Sequence, residues 1–331
     1  MKINMELFSK KKTNIFLLDH MIEILLLVLI LIVSCISPAF LTVGNILNIL
    51  RNVAMKGVIA YGMCLVIIAG EIDLSVGSTV ALSGVLIAWT SKNLNASFGI
   101  PIEWGALIGV VFAIAVAILV GFFHAWARHH FNMPSFIVTL ATLNILYGLA
   151  AIVCEGFPIV NAFPKWYVFL GTGKIFGIPF PALVFILVFF AFWFLTEKTD
   201  LGRKIYAVGG NSEAARLNGI NVWRTRVFVF CTIQVMCVLG GVMNSAQVRS
   251  ATFGFGRGWE TQIISSVVIG GTSMLGGIGT IWGTIIGVLF TGIISNAMTL
   301  LNVNEFMQYV VNGSLMFCAV MFNTYMTKKR N

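Results

Sequence analysis

The sequence predicts an all-α polytopic membrane protein of about ten transmembrane helices, and three observations carry that prediction. Hydrophobic residues fill 58% of the 331 positions and charged residues only 10%. Mean hydropathy is +0.95. The apolar residues lie in long continuous runs, among them 110–120 and 183–195, whereas a β-barrel would alternate in segments of about ten residues. At about 20 residues per crossing and about 10 per connection, the whole chain, 1–331, reads as a single transmembrane domain with no room for a sizeable soluble one.

The elements follow in order. The first span, near 20–40, comes after a cytoplasmic segment, 1–19, whose Lys10, Lys11 and Lys12 resemble the start of a signal peptide. The apolar run continues past a usual signal core, which favours a retained helix. Spans near 47–69 and 73–90 flank a Gly-rich acidic break, and spans near 104–127 and 134–154 complete the first half. The second half gives runs near 179–196, 226–246, 260–276, 280–300 and 305–325, with boundaries loosest in the Gly-rich stretch around 276. Pro38, Pro101, Pro134, Pro179 and Pro181 lie at or beside these limits, where a missing backbone N–H costs least. Five spans per half would run the halves in opposite directions, as in inverted-repeat membrane proteins. The nearest echo in sequence, Gly70, Leu74 and Gly77 against Gly270, Met274 and Gly277, is weak.

The net charge of +9 sorts by side of the membrane rather than marking nucleic-acid binding. With the N-terminus inside and ten crossings, both termini are cytoplasmic and 14 of the 21 Lys and Arg fall inside, including Arg128, Lys328, Lys329 and Arg330. The remainder are Arg51, Lys56, Lys92, Lys165, Lys174, Arg249 and Arg257. Cys35, Cys64, Cys154, Cys231, Cys237 and Cys318 all sit in apolar runs without a Cys-x-x-Cys pair, so they read as small apolar fillers and no metal site is expected. The pair His129-His130 has no third ligand, and adjacent helical residues face different directions, which fits an interfacial role. The chain lacks Gly-x-x-x-x-Gly-Lys-Ser/Thr, so it has no cradle for ATP phosphates. No carboxylate pairs recognisably with a nucleophile, which removes a membrane-embedded lipid or glycan enzyme.

Two long connections stand out, one expected outside from Glu155 to Ile178 and one inside over 197–226, and only the inner one is strongly charged. Within it, Ser212, Glu213, Ala214, Ala215, Arg216, Leu217 and Asn218 form a short self-contained helix. Ser212 is the expected N-cap, Glu213 favours the positive helix end, and Gly219 terminates the helix. Such a helix suits insertion into a partner's groove, and equally an amphipathic connection on the membrane surface. A second polar cluster, Gly70, Glu71, Asp73, Ser75 and Gly77, interrupts apolar sequence. Intramembrane charge is costly unless paired or solvated. A helix break with a gating role, a cap at the cytoplasmic headgroups, direct substrate contact and an ion site all remain open for it, with Lys56 as a neutralising or snorkelling neighbour.

The inner loop resembles the Glu-Ala-Ala-x-x-x-Gly signature of permease subunits in ATP-binding-cassette importers, matched by Glu213, Ala214, Ala215 and Gly219. More specifically, the chain resembles the ribose and galactose type of sugar permease. The segment Gly70-Glu71-Ile72-Asp73-Leu74-Ser75-Val76-Gly77-Ser78, the segment Ala207-Val208-Gly209-Gly210-Asn211 and the Gly-rich run 268–287 carry that resemblance across about 40–325. One departure is Glu71, where many members have a small residue.

The resemblance implies a fold similar to the cobalamin importer's membrane subunit, in a bacterial inner membrane. It also implies a second permease copy, identical or different, a cytoplasmic ATPase that holds ATP and Mg, and an external or periplasmic sugar-binding protein. No cofactor is expected on this chain, and 197–226 is the coupling loop. For a monosaccharide such as ribose, galactose or xylose, the path needs amides, hydroxyls and rings. Candidates are Asn144, Gln234, Asn244, Gln247, Gln262 and Asn296, with Trp89 and Phe136 as stacking surfaces. A non-sugar cargo such as autoinducer-2 and an ion-coupled secondary transporter are the alternatives. Gly279, Gly283 and Gly287 recur every four residues and predict close packing along one helix face.

Overall fold

A computed structural model describes residues 21–330. The segment expected at 1–19 lies outside the described residues. The described helices are α1 (Met21–Ile36), α2 (Val43–Ile68), α3 (Val76–Phe98), α4 (Ile102–His130), α5 (Ser135–Val153), α6 (Lys165–Thr172), α7 (Phe180–Lys198), α8 (Asp200–Gly210), α9 (Ser212–Leu217), α10 (Val222–Val248), α11 (Trp259–Ile269), α12 (Ile281–Leu300) and α13 (Glu305–Arg330). Six of them, α2, α4, α5, α7, α10 and α12, are long and apolar enough to cross a membrane. Helix α3 has the length, but Ser78, Thr79, Ser83, Thr90 and Ser91 dilute its hydropathy, and all five are buried by neighbouring helices.

Two boundaries differ from the sequence expectation. The run 260–276 yields only the 11-residue α11, about 16 Å of helix and too short to span. It stops at Gly270 because Gly271, at φ +88°, takes a left-handed turn that a side chain disfavours. The glycine stripe is also shorter than expected. Thr280 caps α12 by accepting from the Gly283 N–H, which leaves Gly279 in the preceding loop. Gly283 and Gly287 do pack closely, against the backbone of Gly270 and Ser266.

Helix α2 is the central element. From Val53 to Ile68 nearly every side chain is buried, which lets the stretch be apolar all round except at Lys56. Tyr61 stacks on Phe185 of α7 at 5.1 Å between ring centres. Helix α4 approaches its neighbours through small residues: Gly105 and Gly109 lie against the α3 backbone at Ser91 and Ile87, and Gly121 against the α10 backbone at Cys231. Between α5 and α7, the expected outer connection carries α6 and two minimal ribbons. β1 (Ile159–Val160) pairs antiparallel with β4 (Ser250–Ala251), which follows α10, and β2 (Lys174–Ile175) pairs with β3 (Ile178–Pro179).

Candidate functional site

Two polar regions lie apart along the bundle. Along α10 alone, Arg226 at one end and Asn244 at the other are 18 residues apart, about 27 Å.

The first region gathers around the break between α2 and α3. Glu71 is 3% exposed and is held by two guanidinium groups, Arg226 Nε at 2.8 Å and Arg128 Nε at 3.1 Å. It thereby ties the break to the ends of α4 and α10. Asp73 is fully buried. Its Oδ1 accepts from the Ser75 N–H and hydroxyl, its Oδ2 accepts from Gln234 Nε2 at 2.7 Å, and His124 Nδ1 stands 3.5 Å away. The Gln234 carbonyl in turn accepts from the Thr79 hydroxyl at 2.6 Å. Ser75 is the cap residue of α3, with Asp73 bracing the turn in front of it. The cap is therefore buried among helices. Lys56 takes no part: it is a full three turns before the break on α2 and hydrogen-bonds the Gln262 amide instead.

The charged loop docks on this same end as two helices, where the sequence suggests one. Thr199 starts α8 by accepting from the Gly202 N–H. Tyr206 donates to the Gly279 carbonyl at 2.7 Å. Backbone meets backbone at three glycine sites: the Gly277 N–H donates to the Ile68 carbonyl at 2.8 Å, while Gly209 sits against Ile68 and Gly277, and Gly276 against Gly70 and Gly209. A side chain at Gly209 would collide with the Ile68 carbonyl. Helix α9 then projects from the surface. Asn211, rather than Ser212, is its N-cap, accepting from the N–H groups of Glu213 and Ala214, because Asn211 is the residue in the extended conformation that places a side-chain oxygen over the first turn. Gly219, at φ +81°, ends it. Only Ala215 of this helix is buried. Glu213 pairs with Arg216 at 2.6 Å, and that hydrogen bond holds the Glu213 carboxyl below its ordinary range. Asp200 is lowered likewise, chiefly by its hydrogen bond to Lys204.

The second region is a cavity of about 500 Å3 between α2, α10, α11, α12 and α13, a size suited to a small ligand. Asn45, Asn48, Asn52 and Lys56 face it at spacings of three, four and four residues along α2, one face of a helix. Asn244 and Gln247 enter from α10, Trp259 and Gln262 from α11, and Asn296 from α12. Asn45 and Asn296 exchange reciprocal amide hydrogen bonds of 2.9 and 2.8 Å. Ser266 and Thr291 bond at 2.7 Å. The Gln247 carbonyl oxygen is buried without a partner among the described residues, a group that costs free energy until a donor reaches it. Lys56 donates to Gln262 Oε1 at 2.5 Å and lies over the Trp259 ring.

Of the amides expected along a path, Asn244, Gln247, Gln262 and Asn296 line the cavity. Gln234 belongs to the Asp73 network, and Asn144 is exposed with its amide on the Leu140 carbonyl. Trp89 and Phe136 are exposed on the outside of the bundle, and Trp259 supplies the ring instead. The three asparagines of α2 escape hydropathy reading because apolar neighbours average them away. Their helical spacing is the signal that finds them.

Residues 45–320 match the family model described as branched-chain amino acid transport system / permease component. The chain is 36% identical to the ribose import permease protein of Haemophilus influenzae, over 95% of this chain and 96% of that one. It is 38% identical to the ribose import permease protein of Bacillus subtilis over 90% of each. It is also 37% identical to the L-arabinose permease protein of Azospirillum brasilense, over 93% of this chain and 88% of that one. No solved structure matches the chain.

Proposed function

The chain belongs to the family of importer permease components, and from that premise we infer that it is the membrane subunit of an ATP-binding-cassette importer that carries a monosaccharide. The amide-rich cavity is the observation that carries the cargo class. Sugar hydroxyls both donate and accept, and side-chain amides answer both roles without fixed charge. The family description names amino acids, whose ammonium group is met most strongly by a carboxylate. No Asp or Glu is among the described residues that line the cavity.

The reading extends to a transmembrane domain of ten crossings similar to the cobalamin-importer type, with both termini cytoplasmic and a second copy, identical or different, completing the path. Hydrolysis of ATP with Mg belongs to a separate cytoplasmic chain, and an external binding protein delivers the sugar. Helix α9 is the coupling element: exposed, capped at both ends and joined through α8 to the glycine contacts at the α2–α3 break, it supports transmission of ATPase closure to the bundle. Glycines 70 and 77 with Glu71, Asp73 and Ser75 form the gating break that this motion works on. Ion-coupled transport through Glu71 is disfavoured, because two arginines already occupy that carboxylate.

The test is extraction from native membranes in mild detergent, mass spectrometry of the chains that co-purify, and an ATPase assay. Recovery of an ATPase stimulated by a sugar-loaded binding protein is expected. Recovery of this chain alone, with ion-driven uptake in liposomes, would overturn the reading.

A further inference from the structure

Lys56 is the only ionisable residue among the described residues lining the cavity, and no Asp or Glu lines it beside Lys56. Among the described residues its one hydrogen bond goes to a neutral amide, Gln262 Oε1, its other neighbour is the face of Trp259, and none of the ion pairs includes it. An ammonium carries three donors, so donor capacity remains. The contrast with the other end of the same helix is informative. There each buried carboxylate has its cationic or hydrogen-bonding partners in place, as intramembrane charge requires. A cation on a cavity wall without a counter-charge in the fold keeps its remaining donors for water or for an anionic ligand that enters the cavity.

We propose that the cargo is a sugar acid, a polyhydroxylated monosaccharide derivative bearing a carboxylate such as an aldonate, whose carboxylate pairs with Lys56 Nζ. The rest of the molecule meets amides. Asn48, Asn52 and Asn244 make no side-chain hydrogen bond among the described residues, and the unpartnered Gln247 carbonyl oxygen takes a sugar hydroxyl. The Trp259 ring faces the same space on α11, three residues from Gln262, and offers an apolar surface to the carbon chain. This assignment rests on the importer reading and narrows its cargo. Lys56 acts as the specificity-determining residue, attracting acidic cargo and rejecting cationic cargo.

The experiment uses the complex extracted from native membranes, with D-ribonate and D-ribose compared as probes by saturation-transfer NMR while ATP hydrolysis is followed on the same preparation. Ribonate should give the stronger signal. Lys56→Gln should weaken ribonate binding at least tenfold while ribose changes less than about twofold, and Lys56→Arg should restore most of the preference for the acid. A complex that hydrolyses ATP but binds ribose as well as ribonate, or binds neither, overturns the acid assignment and leaves the importer reading standing. So does an equal loss of both probes in Lys56→Gln. A preparation with no associated ATPase overturns the importer reading itself.

Discussion

The two ends of α2 use polar residues in opposite ways. At its C-terminal end, Glu71 and Asp73 are buried and their charges are met within the fold. At its N-terminal end, Asn48, Asn52 and Lys56 line a cavity and keep hydrogen-bonding capacity in reserve. A buried polar group whose partners are all present rigidifies the structure around it, whereas one on the wall of an open cavity, as Asn48 and Asn52 are, stays free to meet water or a ligand. One end is therefore locked by its own partners and the other left open, as the proposed roles in transmission and binding require.

The sharpest way to break this comparison is Glu71→Ala. Removing the carboxylate strands Arg128 and Arg226 together, and loss of one partner from a buried ion pair costs about 3–5 kcal/mol. Thermal unfolding in detergent should fall accordingly, with Glu71→Gln intermediate because it keeps an acceptor. A loss under about 1 kcal/mol would mean that the arginines are solvated and that the break is not locked by charge.

Asn296→Ala probes the binding end, and its effect should be smaller. Asn45 loses a partner but keeps its hydrogen bond to the Phe40 carbonyl, and the open cavity admits water, so the stability change is about 1 kcal/mol. Uptake should suffer through a raised KM at nearly constant maximal rate. A fall in maximal rate with unchanged KM would place Asn296 in the moving machinery instead of the cargo site.

What the sequence makes legible divides along the same line. Hydropathy finds the long helices because α4, α5 and α7 turn apolar faces outward to lipid. It loses α11, where two glycines end a run that is still apolar, and it misses α8, whose Gly202, Gly209 and Gly210 look like loop residues although the first two allow close backbone contact. Glu71 and Asp73 are conspicuous as charges. Their partners are not, since Arg128 and Arg226 lie 57 residues or more away in the chain and only packing brings them together. The cavity asparagines are local and periodic, and were open to a reading by helical spacing.

The smallest effect on stability should come from Glu213→Ala, and that smallness is what makes it a clean test of transmission. The Glu213–Arg216 pair is about two-thirds exposed on both sides, so solvent screens it and its loss should leave stability nearly unchanged. Because the carboxyl sits below its ordinary range, the pair's contribution is complete above the usual carboxylate titration and fades only as pH falls through the lowered value. At neutral pH the helix is therefore fully paired, and a change in coupling there cannot be ascribed to protonation. If α9 conveys ATPase closure to the glycine contacts around Gly209, Glu213→Ala should cut uptake at least tenfold while the protein still inserts and unfolds at its normal temperature. Unchanged uptake per ATP hydrolysed would remove α9 from the path and leave α8, through Tyr206 and Gly209, as the element that carries the signal.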